Sequence, residues 1–166
     1  MITFRNLLAE DQEEFIRRNQ AAFLEALAEE MPEGEEVISR EEVLESLQAP
    51  QAQAFQVYWQ DDLVGGVVVQ IDSETKHNSL DLLFIDGGHK GQGLGLRIWQ
   101  AIEQAYPETE VWETHTPYFE VRNIHFYVNK CGFQIVEFFN PAHPMEHVPD
   151  FPDAELFFRF EKWMKK

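Results

Sequence analysis

Lys90-Gly91-Gln92-Gly93-Leu94-Gly95 follows an apolar, strand-like run at residues 80–85 and opens an amphipathic helix. A strand, a glycine-rich turn and a helix N-terminus in that order form an anion cradle. Glycine lets the backbone approach a ligand closely, and the unpaired N–H groups of the first helical turn point at it. The expected ligand carries phosphate. Leu94, Ile98, Ala101, Ile102 and Ala105 share one helical stripe, and Pro107 ends the helix just beyond Tyr106. Two familiar nucleotide loops do not fit. A P-loop needs a glycine, four intervening residues and then Gly-Lys-Ser/Thr, and a Rossmann turn needs G-x-G-x-x-G, whereas Gly91, Gly93 and Gly95 alternate.

Working outward, residues 2–7 read as a first strand, and residues 10–29 as a helix with Phe15, Phe23, Leu24 and Leu27 at helical spacing, broken by Met31-Pro32-Glu33-Gly34. Ser39 followed by Glu42 is a capping box opening a short helix through Leu47, with Pro50 just past its end. Residues 54–59 and 63–71 read as a hairpin turning around Asp61-Asp62, residues 72–78 as a polar turn, and residues 80–85 as the strand feeding the glycines. After the central helix, residues 110–116 read as a strand and 119–131 as a helix closed by Gly132 at a C-cap. Strands at 133–139 and 155–161 come next, separated by a proline-rich loop, 140–152. This order predicts an α/β (α+β) layered fold, a mixed central sheet of about seven strands flanked by about four helices.

At 166 residues and 44% hydrophobic content, the chain reads as one domain, 1–166, with a substantial core. No run approaches the ~18 apolar residues of a membrane helix, and the N-terminus lacks a signal-peptide pattern, so no membrane and a cytoplasmic location are expected. A lone Cys131 forms no internal disulfide. The net charge of −17, from 13 Lys+Arg against 30 Asp+Glu, argues against a nucleic-acid partner, which needs a basic surface, and suits a cationic substrate. The sequence leaves a homodimer open.

Two landmarks in order give the chain a resemblance to the GCN5-related N-acetyltransferase family. The first is Arg/Gln-x-x-Gly-x-Gly/Ala after the fourth strand, here Lys90-x-x-Gly93-x-Gly95. The second is a late Tyr-x-x-Lys-x-Gly-Phe, here within Phe126-Tyr127-Val128-Asn129-Lys130-Cys131-Gly132-Phe133. The similarity is strongest over residues 80–138. It implies an acyl-CoA N-acyltransferase-like sheet, acetyl-CoA as cosubstrate, and direct acetyl transfer to a primary amine of a small molecule or peptide. In that family two adjacent parallel strands splay apart and bind the pantetheine arm like an added strand. By resemblance, Phe84 and Ile85 then offer main-chain contacts. The segment Gly91, Gln92, Gly93, Leu94, Gly95 and Leu96 holds the diphosphate on its amides, Lys90 adds a charge-assisted contact, and Asn123 contacts the pantetheine. The family's usual asparagine stands further upstream, where this chain has Glu120.

Tyr127 matches the family residue that protonates the departing thiolate. An unperturbed phenol has a pKa near ~10, which makes it a donor at neutral pH. An ammonium acceptor must also lose a proton, and the candidate bases are Asp81 on the fourth strand and Glu113 or His115 on the fifth. No metal is expected: His143 and His147 have Pro144 between them and no third ligand of matching pattern. Trp112, Tyr118, Phe119, Phe138 and Phe139 concentrate rings near the expected substrate mouth. The competing reading is a non-catalytic acetyl-CoA-binding regulatory domain, which keeps the loop without the acceptor chemistry.

Overall fold

The computed structural model describes residues 1–26, 39–146, 148–149 and 154–164. Strands β1 (Ile2–Asn6), β2 (Ala52–Trp59), β3 (Asp62–Gln70), β4 (His77–Ile85), β5 (Val111–Pro117), β6 (Gln134–Phe139) and β7 (Phe157–Trp163) form one sheet in the order β1-β2-β3-β4-β5-β7-β6. Every neighbouring pair is antiparallel except β4 and β5, which run parallel. Helices α1 (Gln12–Ala26), α2 (Arg40–Gln48), α3 (Leu94–Ala105) and α4 (Val121–His125) pack on the sheet.

Local signals account for most boundaries. The Ser39 hydroxyl accepts from the Glu42 amide at 3.2 Å and starts α2, which runs one residue past the expected Leu47. The β2–β3 turn holds Gln60 and Asp61 at φ 51° and 72°, a left-handed geometry that suits a tight hairpin. Helix α1 ends its described course at Ala26, so the expected end near residue 29 and the Met31–Gly34 break lie outside the described residues.

Three expectations need correction. β4 begins at His77, because the Asp72 carboxylate closes a short turn by accepting from the amides of Glu74 and Thr75. β7 spans Phe157–Trp163, with Ala154 and Glu155 in a turn. The expected helix over 119–131 is α-helical only at Val121–His125. It then widens into a π-helical turn, Phe126–Cys131, which turns Tyr127 and Cys131 inward and closes on Gly132 at φ 88°.

The sheet carries a core on each face. One side packs Val57, Val67, Val69 and Leu80 against Leu94, Ile98, Trp99 and Ile102 of α3, with Trp99 edge-on to Trp112 at 5.1 Å. The other packs Val68, Leu82 and Phe84 against Phe15 and Ile16 of α1 and Val43 of α2. Leu80 and Leu82 belong to opposite cores although a regular strand would put both on one face. The register explains it: Val69 pairs with Leu80 but Val68 with Leu82, leaving Asp81 as an extra residue. This β-bulge turns the strand over at Asp81 and re-aims residues 82–85.

Candidate active site

The same bulge sits where the sheet opens. β4 and β5 pair from His77↔Val111 to Leu80↔Thr114 and no further, although β4 continues to Ile85 and β5 to Pro117. At the fork the Thr114 hydroxyl donates to the Leu80 carbonyl at 2.9 Å, satisfying the last backbone acceptor there. Beyond it, the Asp86 amide still bonds Val64 of β3 at 2.8 Å. By alternation, Phe84 also turns its main-chain groups toward β3, while those of Leu83 and Ile85 face the opening. A Cβ built on Gly65 would lie 2.1 Å from the Phe84 carbonyl oxygen, in keeping with that parity. Of the expected pair, Ile85 thus turns its main-chain groups to the opening, as does Leu83, whereas those of Phe84 face β3; all three residues line the first cavity.

At the open end of β4 the chain makes a short 3₁₀ turn, Gly87–His89, and enters α3 through Gly91 at φ 82° and Gly93 at φ 71°. Gly93 occupies the N-cap with no side-chain acceptor, and the first helical bond runs from Arg97 to its carbonyl. The amides of Leu94, Gly95 and Leu96 therefore lack intrahelical partners. The residue 91–93 segment is exposed, and a Cβ on Gly91 or Gly93 would meet nothing within 4 Å. Their requirement for glycine comes from backbone conformation. Gly95 is different: a Cβ there would lie 3.2 Å from the Phe126 ring, so glycine lets α3 approach the π turn. The Lys90 ammonium donates to the Ala22 carbonyl of α1 at 3.2 Å while still lining the opening. Nearby, Arg18 of α1 clamps Asp86 through two bonds, at 3.2 and 2.8 Å.

Two cavities lie along the opening. The first, about 190 Å³, is bounded by Leu83, Phe84, Ile85, Lys90, Gly95 and Phe126. The second, about 240 Å³, is bounded by Glu42, Glu45 and Ser46 of α2, Asp81, His115, Thr116 and Pro117. Phe23, Leu83, Glu120, Asn123 and Tyr127 line both. Tyr127 is 7% exposed. Burial pushes its phenol well above the ordinary value, the Glu120 charge adds to the rise, and hydrogen bonding with Thr114 pulls the other way. The group is thus a protonated donor throughout the neutral range.

The expected bases separate. Asp81 lines the second cavity, accepting from Gln70 at 2.6 Å and Ser79 at 3.0 Å, and burial raises its carboxyl against those bonds. His115 lines it too. Burial lowers its imidazole while Glu113 pulls it back up. Glu113 lines neither cavity and is corrected: its carboxylate bonds Arg159 of β7 at 2.8 Å, in a cluster with Glu137 and Glu161. The rings also diverge from expectation. Trp112 is fully buried, Tyr118 joins Phe138 and Phe158 on the β6–β7 side, and none of the five expected aromatics lines either cavity. Sequence reasoning missed Phe23, Leu83 and Glu120 as site residues. A signal existed for Glu120, since it stands where the family's asparagine would.

His143 sits 2.6 Å from a Glu137 carboxylate oxygen, stacked on Phe139, and His147 lies outside the described residues. Among the described residues, metal-like spacing brings together His77, Glu113 and Glu161, with the Arg159 guanidinium already bonded to both carboxylates. Burial pushes the Cys131 thiol up to about 12, which leaves it unreactive.

Comparison with known proteins agrees with this fold. The family model described as "Acetyltransferase (GNAT) family" matches residues 20–133. An uncharacterized protein of Bacillus subtilis (strain 168), YrkN, is 46% identical, across 94% of this chain and 90% of that one. Among solved structures, the ribosomal-protein-S18-alanine N-acetyltransferase of Escherichia coli superposes with a TM-score of 0.69 at 14% identity, covering 100% of this chain and 96% of that one. Spermidine N-acetyltransferase of Vibrio cholerae, in complex with CoA and spermine, gives 0.67 at 18%, covering 98% and 95%. PaiA N-acetyltransferase of Thermoplasma acidophilum, in complex with coenzyme A, gives 0.68 at 16%, covering 99% of each chain.

Proposed function

Because the chain belongs to the acetyltransferase (GNAT) family, we propose that it is an acetyl-CoA-dependent N-acetyltransferase that moves the acetyl group directly to a primary amine of a small molecule or peptide. One observation carries this reading: two cavities meet at a buried phenol, Tyr127. Acetyl-CoA occupies the first. Its diphosphate lies on the amides of residues 92–96, and its pantetheine arm runs along Leu83 and Ile85 at the fork, as an added strand would. The amine enters from the second, whose lining among the described residues includes Glu42, Glu45, Asp81 and Glu120 but neither Lys nor Arg. Such a lining attracts an ammonium. Tyr127 donates its proton to the thiolate as the C–S bond breaks.

Folds like this one occur in enzymes named for spermidine and for an alanine of a ribosomal protein, so both small and protein-borne amines are within reach of the architecture. No described helix is long and apolar enough to cross a membrane. The test is twofold. Acetyl-CoA is expected to raise the thermal midpoint of the protein, and an amine panel to release free CoA thiol. Stabilisation without thiol release from any amine would favour the non-catalytic acetyl-CoA-binding domain instead. Absence of both would refute the two readings together.

A further inference from the structure

We propose that Glu120 takes the proton from the acceptor's ammonium group, a role that neither the family pattern nor the other carboxylates of the site supply. The inference rests on the transferase reading above. Three observations place the residue. The residue is 5% exposed, yet it bounds both cavities and so stands where acceptor nitrogen and thioester must meet. It stands at the N-cap position of α4, the short helix that runs directly into the π turn carrying Tyr127. It also acts electrostatically on Tyr127, the proposed proton donor. The alternatives are worse placed: Glu113 is held by Arg159 outside the cavities, and Asp81 bounds the second cavity alone.

Protons and electron pairs balance in this step. The ammonium gives one proton to the Glu120 carboxylate, and the neutral nitrogen's lone pair forms the C–N bond. The C–S bond breaks with its electron pair on sulfur. Tyr127 protonates the sulfur and takes the remaining excess proton from nitrogen, while Glu120 returns its proton to water. The net products are amide, CoA thiol and one released proton. The titratable groups that line the two cavities with Glu120 are Glu42 and Glu45 from α2, Asp81 from β4, His115 from β5, Tyr127 from the π turn and Lys90 in the first cavity.

The experiment is thiol release against pH for the full chain and for Glu120→Gln, with calorimetry of acetyl-CoA binding. At pH ~7 the variant is expected to lose about 100-fold in kcat, with acetyl-CoA affinity close to wild type. Its kcat/KM is expected to climb with pH toward the amine's own pKa, near ~10, because only pre-formed free amine can react. Glu120→Asp should keep the wild-type acidic limb at a lower plateau. A Gln variant as fast as wild type, or slowed by one factor at every pH, overturns the inference. Should the Gln variant fail to fold, the Asp variant decides: a retained acidic limb supports the role and its loss refutes it. A wild-type protein that releases no thiol from any amine overturns the transferase reading and this inference with it.

Discussion

The two ends of the opening are built from different materials. At the end proposed for the diphosphate the chemistry is backbone: positive-φ glycines, a helix start without a side-chain cap, and residues 91–93 exposed. At the end proposed for the acceptor it is side-chain: carboxylates from α2, β4 and the α4 N-terminus line one cavity with a phenol. A backbone cradle needs one contiguous segment, whereas the acceptor cavity needs four elements in register. Substitutions at the first end should therefore act on affinity, and at the second on turnover and selectivity.

The largest effect that could break this division is expected from Gly93→Glu. No neighbour lies within 4 Å of the added Cβ, so the fold loses only the cost of a side chain at φ 71°, about 1–2 kcal/mol. A carboxylate in the amide cradle proposed for the diphosphate would oppose the ligand directly, and calorimetry should show affinity for acetyl-CoA weakened by about 100-fold. Gly93→Ala separates the causes, since it carries the backbone cost without the charge. Equal losses of affinity in both variants would mean that conformation, not anion binding, governs this end.

Tyr127→Phe probes the opposite end. It removes one hydroxyl from a fully packed ring, and kcat is expected to fall about 30-fold while acetyl-CoA affinity stays close to wild type. Since burial raises the phenol, it remains protonated as pH rises through the neutral range, and wild-type turnover should show no alkaline loss from this group up to pH ~10. A decline near pH ~8 in wild type but not in the Phe variant would show that the phenol is not raised, whereas a Phe variant as fast as wild type would contradict the donor role.

These two ends also differ in how legible they were. The glycines, the Ser39–Glu42 cap and Gly132 act within one or two turns of chain, so residue type and spacing suffice to place them. Asp81 is another matter. That it is the extra residue of a bulge, and that Leu80 and Leu82 consequently enter opposite cores, depends on how β3 pairs with β4. Glu113 looked like a cavity base because alternation along β5 cannot reveal Arg159, 46 residues on, waiting on β7. Leu83 was displaced by Phe84 for the same reason: which carbonyl faces a gap is a property of the neighbouring strand. Glu120 had a signal in its place relative to the motif, but only the meeting of two cavities gives it a task.

A smaller effect should sharpen the account of the acceptor end. Glu42→Gln with Glu45→Gln removes two charges from the second cavity's rim without touching the first. Partly exposed charges act weakly and are screened by salt, so KM for a cationic amine should rise about 5-fold at low ionic strength and less at high. The KM for acetyl-CoA should not change. A rise of equal size for a neutral amine would show that α2 shapes the cavity rather than attracting charge to it.

The last effect is expected to be nil, and that makes it informative. Cys131 shares the π turn with Tyr127, so a loosely packed turn would expose both. Burial raises its thiol to about 12, so the reactive thiolate is a negligible fraction at pH ~8 and access is blocked as well. An aromatic disulfide reagent should therefore titrate almost no thiol in the folded protein and one per chain after denaturation. Rapid labelling of the folded chain would mean that the π turn opens on the assay's timescale. The phenol beside it would then not be the fixed, water-excluded donor on which the division between the two ends depends.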